Sequence, residues 1–150
     1  MRHWVFWLVI LASAAACSCD SSDNSRAGSG PVAPDAVGVY VGVENQTRTA
    51  SGSGVAVRQV QKVYSVGADG VIEGFVACDG AEQSVGLAGG AFHLTYSDNC
   101  DPLPRCPSPL THVVEGTIGG GVMTYTDTAS KGCLDGSVVR IESRYNGIRQ

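Results

Sequence analysis

Apolar and polar residues alternate along much of the chain beyond residue 36, with the period of two that places successive side chains on opposite faces of a β-strand. The alternation is clearest at the two ends of this region. In residues 37–44 the four valines share one face, and in residues 139–145 Arg140, Glu142 and Arg144 share one face. We interpret both segments as half-buried strands. Because no segment shows a sustained 3.6-residue period, the region is predicted to be almost entirely β.

Six further strands are predicted between these two, at residues 54–66, 71–78, 83–87, 91–96, 112–118 and 122–126. Glycine-containing turns separate several of them, at residues 67–70, 79–80, 89–90 and 119–121, and glycine supplies the positive φ angle that tight hairpins need. Eight strands in hairpin succession favour an antiparallel meander. Closing that meander removes the exposed edges, so the predicted fold is a small, closed or nearly closed up-and-down barrel, with a two-sheet sandwich as the alternative.

The first 17 residues follow a different pattern. Met-Arg-His is followed by an apolar run over residues 4–12 and then by Ser-Ala-Ala-Ala-Cys, which is the order of regions in an export signal. As a helix, the apolar run would be about 14 Å long, whereas the hydrocarbon core of a bilayer is about 30 Å thick. The segment is therefore expected to direct export and not to serve as a transmembrane anchor.

The three alanines before Cys17 resemble the lipobox of bacterial lipoproteins, with Ala14 at the position where that family usually has leucine. The resemblance covers residues 1–17. It implies that the Cys17 thiol receives a diacylglycerol, that cleavage makes Cys17 the N-terminus, and that a further acyl chain such as palmitate completes the anchor. In lipoproteins of Gram-negative bacteria, a residue such as Ser18 after the cysteine implies sorting to the outer membrane. The alternative is ordinary secretory cleavage, which gives a secreted or soluble periplasmic protein.

These patterns divide the chain into an export signal over residues 1–16, a lipid-anchored flexible linker over 17–35 and a single β domain over 36–150. Removal of Arg2 with the signal leaves nine basic residues against 14 acidic ones, a formal net charge of −5. Nucleic acid is a poor partner for such a charge. The expected partners are the membrane, through the lipid, and an unidentified small ligand or protein.

Four cysteines lie in the β domain, and Cys19 lies in the linker with no assigned role. In a meander every odd strand ends at the same rim, and the four domain cysteines all follow odd strands. They are therefore predicted to meet at one rim and to form two disulfides, which the oxidising environment of an exported protein permits. Of the three possible pairings, the expected one joins Cys100 to Cys106 and Cys78 to Cys133.

Two histidines lie in the domain, and with Glu115 and Asp98 they could be drawn as a metal or acid–base site. Their spacing does not require one, so His93 and His112 are expected to be surface or strand-end residues. The chain contains no nucleophile elbow, no phosphate-binding glycine loop and no His-Glu-x-x-His motif. We therefore expect no catalytic residues, no metal ligands and no cofactor.

Long loops and short turns fall at opposite rims, and the long loops share the rim of the cysteines. Both ends of the domain lie at the other rim, so the lipid linker is expected to enter there and the long loops to point away from the membrane. Binding residues often lie on loops held by a rigid scaffold. The candidate binding residues, all in the loop over residues 97–111, are Asp98, Asn99, Asp101 and Arg105.

The sequence thus predicts a non-catalytic, membrane-anchored envelope lipoprotein that binds a small ligand or a partner protein, at the membrane-distal loops or in the barrel interior. The alternatives are a structural component of the envelope and a secreted enzyme inhibitor, since compact β domains with disulfides suit the rigid presentation of loops.

Overall fold

The computed structural model describes residues 32–50, 55–99 and 104–150. These ranges hold eight β-strands, and every ladder between neighbouring strands is antiparallel. The strands are β1 (Gly38–Ala50), β2 (Ala56–Val66), β3 (Val71–Val76), β4 (Glu82–Gly86), β5 (Ala91–Asp98), β6 (Leu110–Gly119), β7 (Val122–Gly132) and β8 (Val138–Arg149). The predicted all-β class and strand count are confirmed.

All eight strands belong to one sheet in the order β4-β3-β2-β1-β8-β7-β6-β5. Consecutive strands pair as hairpins, and β1 pairs along its length with β8, which joins the two ends of the meander. Within the described residues no ladder joins β4 to β5. The fold is therefore a nearly closed up-and-down barrel, as the sequence predicts, and not a two-sheet sandwich.

Several strands extend beyond their predicted ends toward the rim of the cysteines. β1 continues through the polar residues 45–49, and β7 continues to Gly132. In β1 these polar residues pair with β2 on one edge and β8 on the other, so both edges of the backbone are hydrogen-bonded. Apolar alternation misses such a segment because its inward-facing side chains are polar.

The face of β1 that points inward carries the tyrosine and the glutamate rather than the valines. Tyr40 and Glu44 are 0% and 4% exposed, whereas Val39 and Val43 are each 44% exposed on the outer surface. The register on β8 places Glu44 opposite the buried Tyr145. Pairing with its neighbours therefore decides which face of this strand is buried.

The interior near the glycine-turn rim is filled by a core of aromatic and aliphatic side chains. Its members include Tyr40, Tyr64, Ile72, Phe75, Leu87, Phe92, Leu94, Val114, Ile118, Met123, Tyr125 and Tyr145. The chain before β1 covers this end of the barrel. Ala36 is buried, its carbonyl accepts a hydrogen bond of 2.8 Å from the Tyr40 hydroxyl, and Asp35 accepts one of 3.1 Å from Arg149. One end of the barrel is therefore closed.

The wall is thinner on the side of β2 and β3. Their ladder consists of two residue pairs, Ser65 with Glu73 and Val66 with Ile72, so residues 56–64 of β2 are paired with β1 only. Beyond the ladder, Gly74 has a φ of 109°, and a Cβ atom there would lie 2.7 Å from the Val63 carbonyl oxygen. Glycine thus allows β3 to bulge while its backbone lies close to Val63 of β2. Among the described residues, residues 56–64 of β2 have no ladder partner on β3, which leaves an opening beside residues 56–62.

The described cysteines lie at one rim, as strand parity predicts, but the predicted pairing is wrong. Cys106, between β5 and β6, is bonded to Cys133, between β7 and β8. The two loops run side by side, since Leu134 donates a backbone hydrogen bond of 2.8 Å to the Arg105 carbonyl. Cys78 is also disulfide-bonded, and the predicted partner of Cys106, Cys100, lies outside the described residues. In the described ranges, no helix is long and apolar enough to span a bilayer.

Candidate functional site

A cavity of about 470 Å³ lies inside the barrel, between the aromatic core and the rim of the cysteines. Sites that hold small organic ligands have volumes of about 300–1,000 Å³. Four of the residues that line the cavity are exposed and mark its mouth, beside the edge of β2 that is not paired with β3: they are Ala56, Arg58, Val76 and Cys78. The cavity is therefore large enough for a small ligand and reachable from outside.

A basic wall is formed by the inward faces of β1 and β2. The register places Arg58 opposite Gln46 and Arg48 opposite Ala56, so the two arginines are diagonal neighbours on one face. Such neighbours have Cβ atoms about 7–8 Å apart. Lys62 lies four residues beyond Arg58 on the same face of β2. Strand alternation alone thus directs three cationic side chains into one side of the cavity.

The opposite wall carries a histidine between two aspartates. The ring of His112, on β6, lies with Nδ1 2.9 Å from Asp127 Oδ2 and Nε2 3.3 Å from Asp98 Oδ2. The contact with Asp127 is a hydrogen bond, and the contact with Asp98 is a charge interaction without hydrogen-bond geometry. Tyr96 stacks on the ring at a centroid distance of 4.5 Å and an interplanar angle of 5°. His112, Asp98 and Asp127 are all buried.

Two opposing effects act on the pKa of His112. Burial lowers it, because a charged ring loses its hydration. The hydrogen bond and charge of Asp127, followed by the charges of Asp98 and Glu44, raise it by more, so the net pKa is above the ordinary 6.5. The folded protein therefore holds this histidine as a cation to higher pH than a solvated histidine, and its positive charge balances part of the charge of the aspartates.

A chain of hydrogen bonds crosses the floor of the cavity. The Tyr64 and Tyr125 hydroxyls are 2.6 Å apart, and the Tyr125 hydroxyl donates to the Glu44 carboxylate. Since the Tyr125 proton is directed to Glu44, Tyr64 is the donor to Tyr125. Glu44 also accepts a hydrogen bond of 2.6 Å from Gln46. Burial raises the pKa of both tyrosines, so both hydroxyls keep their protons at physiological pH.

The acids and bases of the cavity differ in their partners. Asp98 and Asp127 contact His112, and Glu44 accepts hydrogen bonds from Tyr125 and Gln46. By contrast, in the part of the chain that the structure describes, neither Arg58 nor Lys62 forms an ion pair. The cavity thus presents two cationic groups, Arg58 and Lys62, that have no carboxylate partner among the described residues.

The predicted binding loop contributes one residue to this cavity. Asp98 lines it, although as the last residue of β5 and not as a flexible loop side chain. Asn99 and Arg105 are exposed and do not line the cavity, and Asp101 lies outside the described residues. The side chains gather inside the barrel because inward alternation, and not loop position, determines where they point.

The histidines lie on opposite faces of the sheet. His93 is exposed on the outer surface, with Nδ1 3.5 Å from Glu115 Oε1, as expected of a surface histidine. His112 is near the start of β6, as the expectation of a surface or strand-end residue allows, but it is buried and faces inward and does not lie at the surface. A single site built from His93, His112, Glu115 and Asp98 is therefore excluded.

Most charged residues of the cavity were not predicted from the sequence. These residues are Glu44, Arg48, Arg58, Lys62 and Asp127. A signal for two of them exists, because Glu44 and Arg48 continue the face of Tyr40 at spacings of four and eight residues. Asp127 likewise follows Tyr125 at a spacing of two. A buried tyrosine followed on its own face by charged residues is typical of a strand that leaves a core and enters a polar cavity.

Within residues 32–50, 55–99 and 104–150, no group of three or more His, Cys, Asp or Glu side chains has an arrangement that could hold a metal ion. In the Asp98–His112–Asp127 cluster, the histidine instead offsets part of the charge of the two aspartates, as described above.

Comparison with known proteins finds no matching family model, no matching curated protein and no matching solved structure.

Proposed function

We propose that this chain is a non-catalytic, lipid-anchored bacterial envelope protein that binds a small ligand inside its barrel. The observation that carries the proposal is the cavity of about 470 Å³, into which charged and aromatic side chains from both walls converge. Filling that volume with protein side chains would stabilise the fold, since well-packed interiors contain few large voids. A cavity of this size lined by directed polar groups is typical of a binding site.

The lipid anchor is proposed from Cys17 and the small residues before it, and the outer membrane is its proposed location. The positions of the chain ends on the barrel indicate which end of the domain would face the membrane. Residues 32–37 and the end of β8 lie at the closed rim, whereas the cavity mouth lies toward the rim of the cysteines. A chain tethered through Cys17 would thus present the mouth away from the membrane.

The geometry of His112 supports binding over catalysis. Both ring nitrogens lie next to aspartate oxygens, at 2.9 and 3.3 Å. A general base needs a nitrogen lone pair directed at its substrate. In its protonated form, which the neighbouring carboxylates favour, the ring offers none, so this histidine serves to position the two aspartates and to offset part of their charge.

One observation favours binding of a partner protein as the second candidate. Leu134 is 79% exposed on the loop that Cys133 ties to the β5–β6 loop. An apolar side chain on a cross-linked loop at the membrane-distal rim is a suitable contact for another protein.

The ligand proposal is tested by saturation-transfer NMR of the full-length chain with a mixture of small organic fragments. Ser143, which is buried in the cavity wall on β8, is replaced by leucine to fill the space, with the exposed outer residue Thr126→Leu as the matched control. Fragments should bind the wild type and the control and lose binding to Ser143→Leu. Ile141→Phe fills the same cavity if Ser143→Leu does not fold. A folded wild type that binds no fragment, or binding that survives cavity filling, overturns the proposal.

The anchor is tested separately by mass spectrometry of the native N-terminus. Acylated Cys17 is expected in the wild type, and loss of acylation with retained export is expected for Cys17→Ala. An unmodified Cys17 in the exported wild-type protein would refute the anchor.

A further inference from the structure

The charge pattern of the cavity indicates the chemistry of its ligand. Its acidic residues all have partners: His112 contacts both aspartates, and Glu44 is bound by Tyr125 and Gln46. A cationic ligand would thus meet carboxylates that already contact His112, Tyr125 and Gln46. The acidic side of the cavity therefore does not favour a cation.

On the basic wall, Arg58 and Lys62 have no such carboxylate partners among the described residues. Arg58 and Lys62 are on the same face of β2, four residues apart, and Val60 lies between them on that face. At about 3.3 Å per residue, their Cα atoms are about 13 Å apart, which long side chains can span to meet at one group. In the described part of the molecule, neither side chain has a carboxylate within ion-pair distance. Two like charges beside a partly enclosed space favour the entry of an anion.

The cavity also has an apolar part, which argues against a simple inorganic anion. Phe75, Val114 and Leu110 line it together with the ring of Tyr64. A phosphate or sulfate ion alone would leave most of about 470 Å³ and these surfaces in contact with water. A ligand with an apolar or aromatic body covers them, with its anionic group directed to the basic wall.

We propose that the ligand is a small organic anion, with a carboxylate or another oxyanion held by Arg58 and Lys62 and an apolar body resting on Phe75 and Val114. This inference rests on the proposed function, namely that the cavity is a ligand site. Arg58 is suited to a planar oxyanion because the guanidinium group can form two parallel hydrogen bonds with it. Lys62 contributes a second, less directional charge.

The test compares 2-naphthoate with its neutral isostere 2-naphthamide. Binding of each to the full-length chain in a non-ionic detergent is measured by isothermal titration calorimetry, with titration into empty micelles subtracted. Naphthoate is expected to bind at least tenfold more tightly than naphthamide, and its affinity should fall as salt is raised. This comparison isolates the charge, because the two probes have nearly the same shape.

Variants then test whether Arg58 and Lys62 cause the preference for naphthoate over naphthamide. Arg58→Gln/Lys62→Gln should weaken naphthoate about tenfold and leave naphthamide within twofold. The matched control is Arg140→Gln/Arg144→Gln, which removes the same charge from the outer face of β8 and should leave both affinities within twofold. Equal affinity of the two probes, or equal effects of the two double variants, overturns the anionic class.

The two proposals fail in different ways. If fragments occupy the cavity in the NMR experiment but naphthoate shows no preference over naphthamide, the anionic class is wrong and the ligand site stands. If no fragment and neither naphthalene probe binds, the ligand site itself is wrong.

Discussion

Replacing Asp127 by asparagine removes the charge that most strongly favours protonated His112. The ring is expected to remain in place, because asparagine has nearly the same shape and Asp98 still lies 3.3 Å from Nε2. A buried hydrogen bond to a charged group contributes about 1.5–3 kcal/mol, whereas one between neutral groups contributes about 0.5–1.5 kcal/mol. Asp127→Asn should therefore destabilise the protein by about 2–3 kcal/mol when His112 is protonated, because an ion pair is lost, and by about 1 kcal/mol when His112 is neutral, because a charged acceptor is then exchanged for a neutral one.

The pH dependence follows from the raised pKa of His112. The stabilisation by its protonated form is fully present below the unfolded-state pKa of about 6.5, and it is lost as pH rises through the higher folded-state pKa. The difference in free energy of unfolding between wild type and Asp127→Asn should thus shrink by about 1–2 kcal/mol between pH 5.5 and pH 9. At about 1.4 kcal/mol per pKa unit, this corresponds to a fall of roughly one unit in the pKa of His112.

Urea denaturation at the two pH values measures the energies, and NMR titration of the ring measures the pKa. A His93→Gln background leaves one histidine in the domain and so assigns the signal. The matched control is Glu115→Gln, which removes the carboxylate beside exposed His93 and should change stability by no more than about 0.5 kcal/mol. The reasoning is refuted if Asp127→Asn costs the same at both pH values, or if the pKa of His112 does not fall.

Three further outcomes are expected from variants of the cavity floor and of the rim of the cysteines. Tyr125→Phe leaves Glu44 buried without the tyrosine hydroxyl and should cost about 1–3 kcal/mol in urea denaturation. Tyr145→Phe removes a buried hydroxyl that has no hydrogen-bond partner among the described residues, so it should be neutral or stabilising, and equal losses for the two variants would contradict the hydrogen-bond chain. Replacing both Cys106 and Cys133 by serine opens a loop with a sequence separation of 27 residues and should cost about 3.5 kcal/mol by loop entropy. Peptide mapping that finds Cys106 joined to a cysteine other than Cys133 would show that the loops are arranged differently.

The sequence predicts the barrel well because its signals are local. Alternation with a period of two marks the strands, and glycine-containing turns fix their hairpin succession. Strand parity then places the described cysteines at one rim without any knowledge of the tertiary structure. The pairing of the cysteines does not follow from parity, because Cys106 and Cys133 are brought together by two loops that are far apart along the chain.

The candidate site is predicted poorly, and the reason lies in β1. Its alternation shows which side chains share a face, but the same pattern is compatible with valines inside or valines outside. The pairing of β1 with β8 settles the choice and turns Glu44 inward. Of the three candidate loop residues that the structure describes, Asp98 lines the cavity, whereas Asn99 and Arg105 do not.

The sequence by itself determines the class, the strand count, the order of the hairpins and the rim of the cysteines, because each depends on residues close together in the chain. The tertiary structure alone decides which faces are buried, how the loops are cross-linked and which charges meet in the cavity. Those features depend on curvature and closure, which bring the β1–β2 wall opposite β5, β6 and β7 across a shared interior. Arg58 and His112 belong to one site only because the sheet closes on itself.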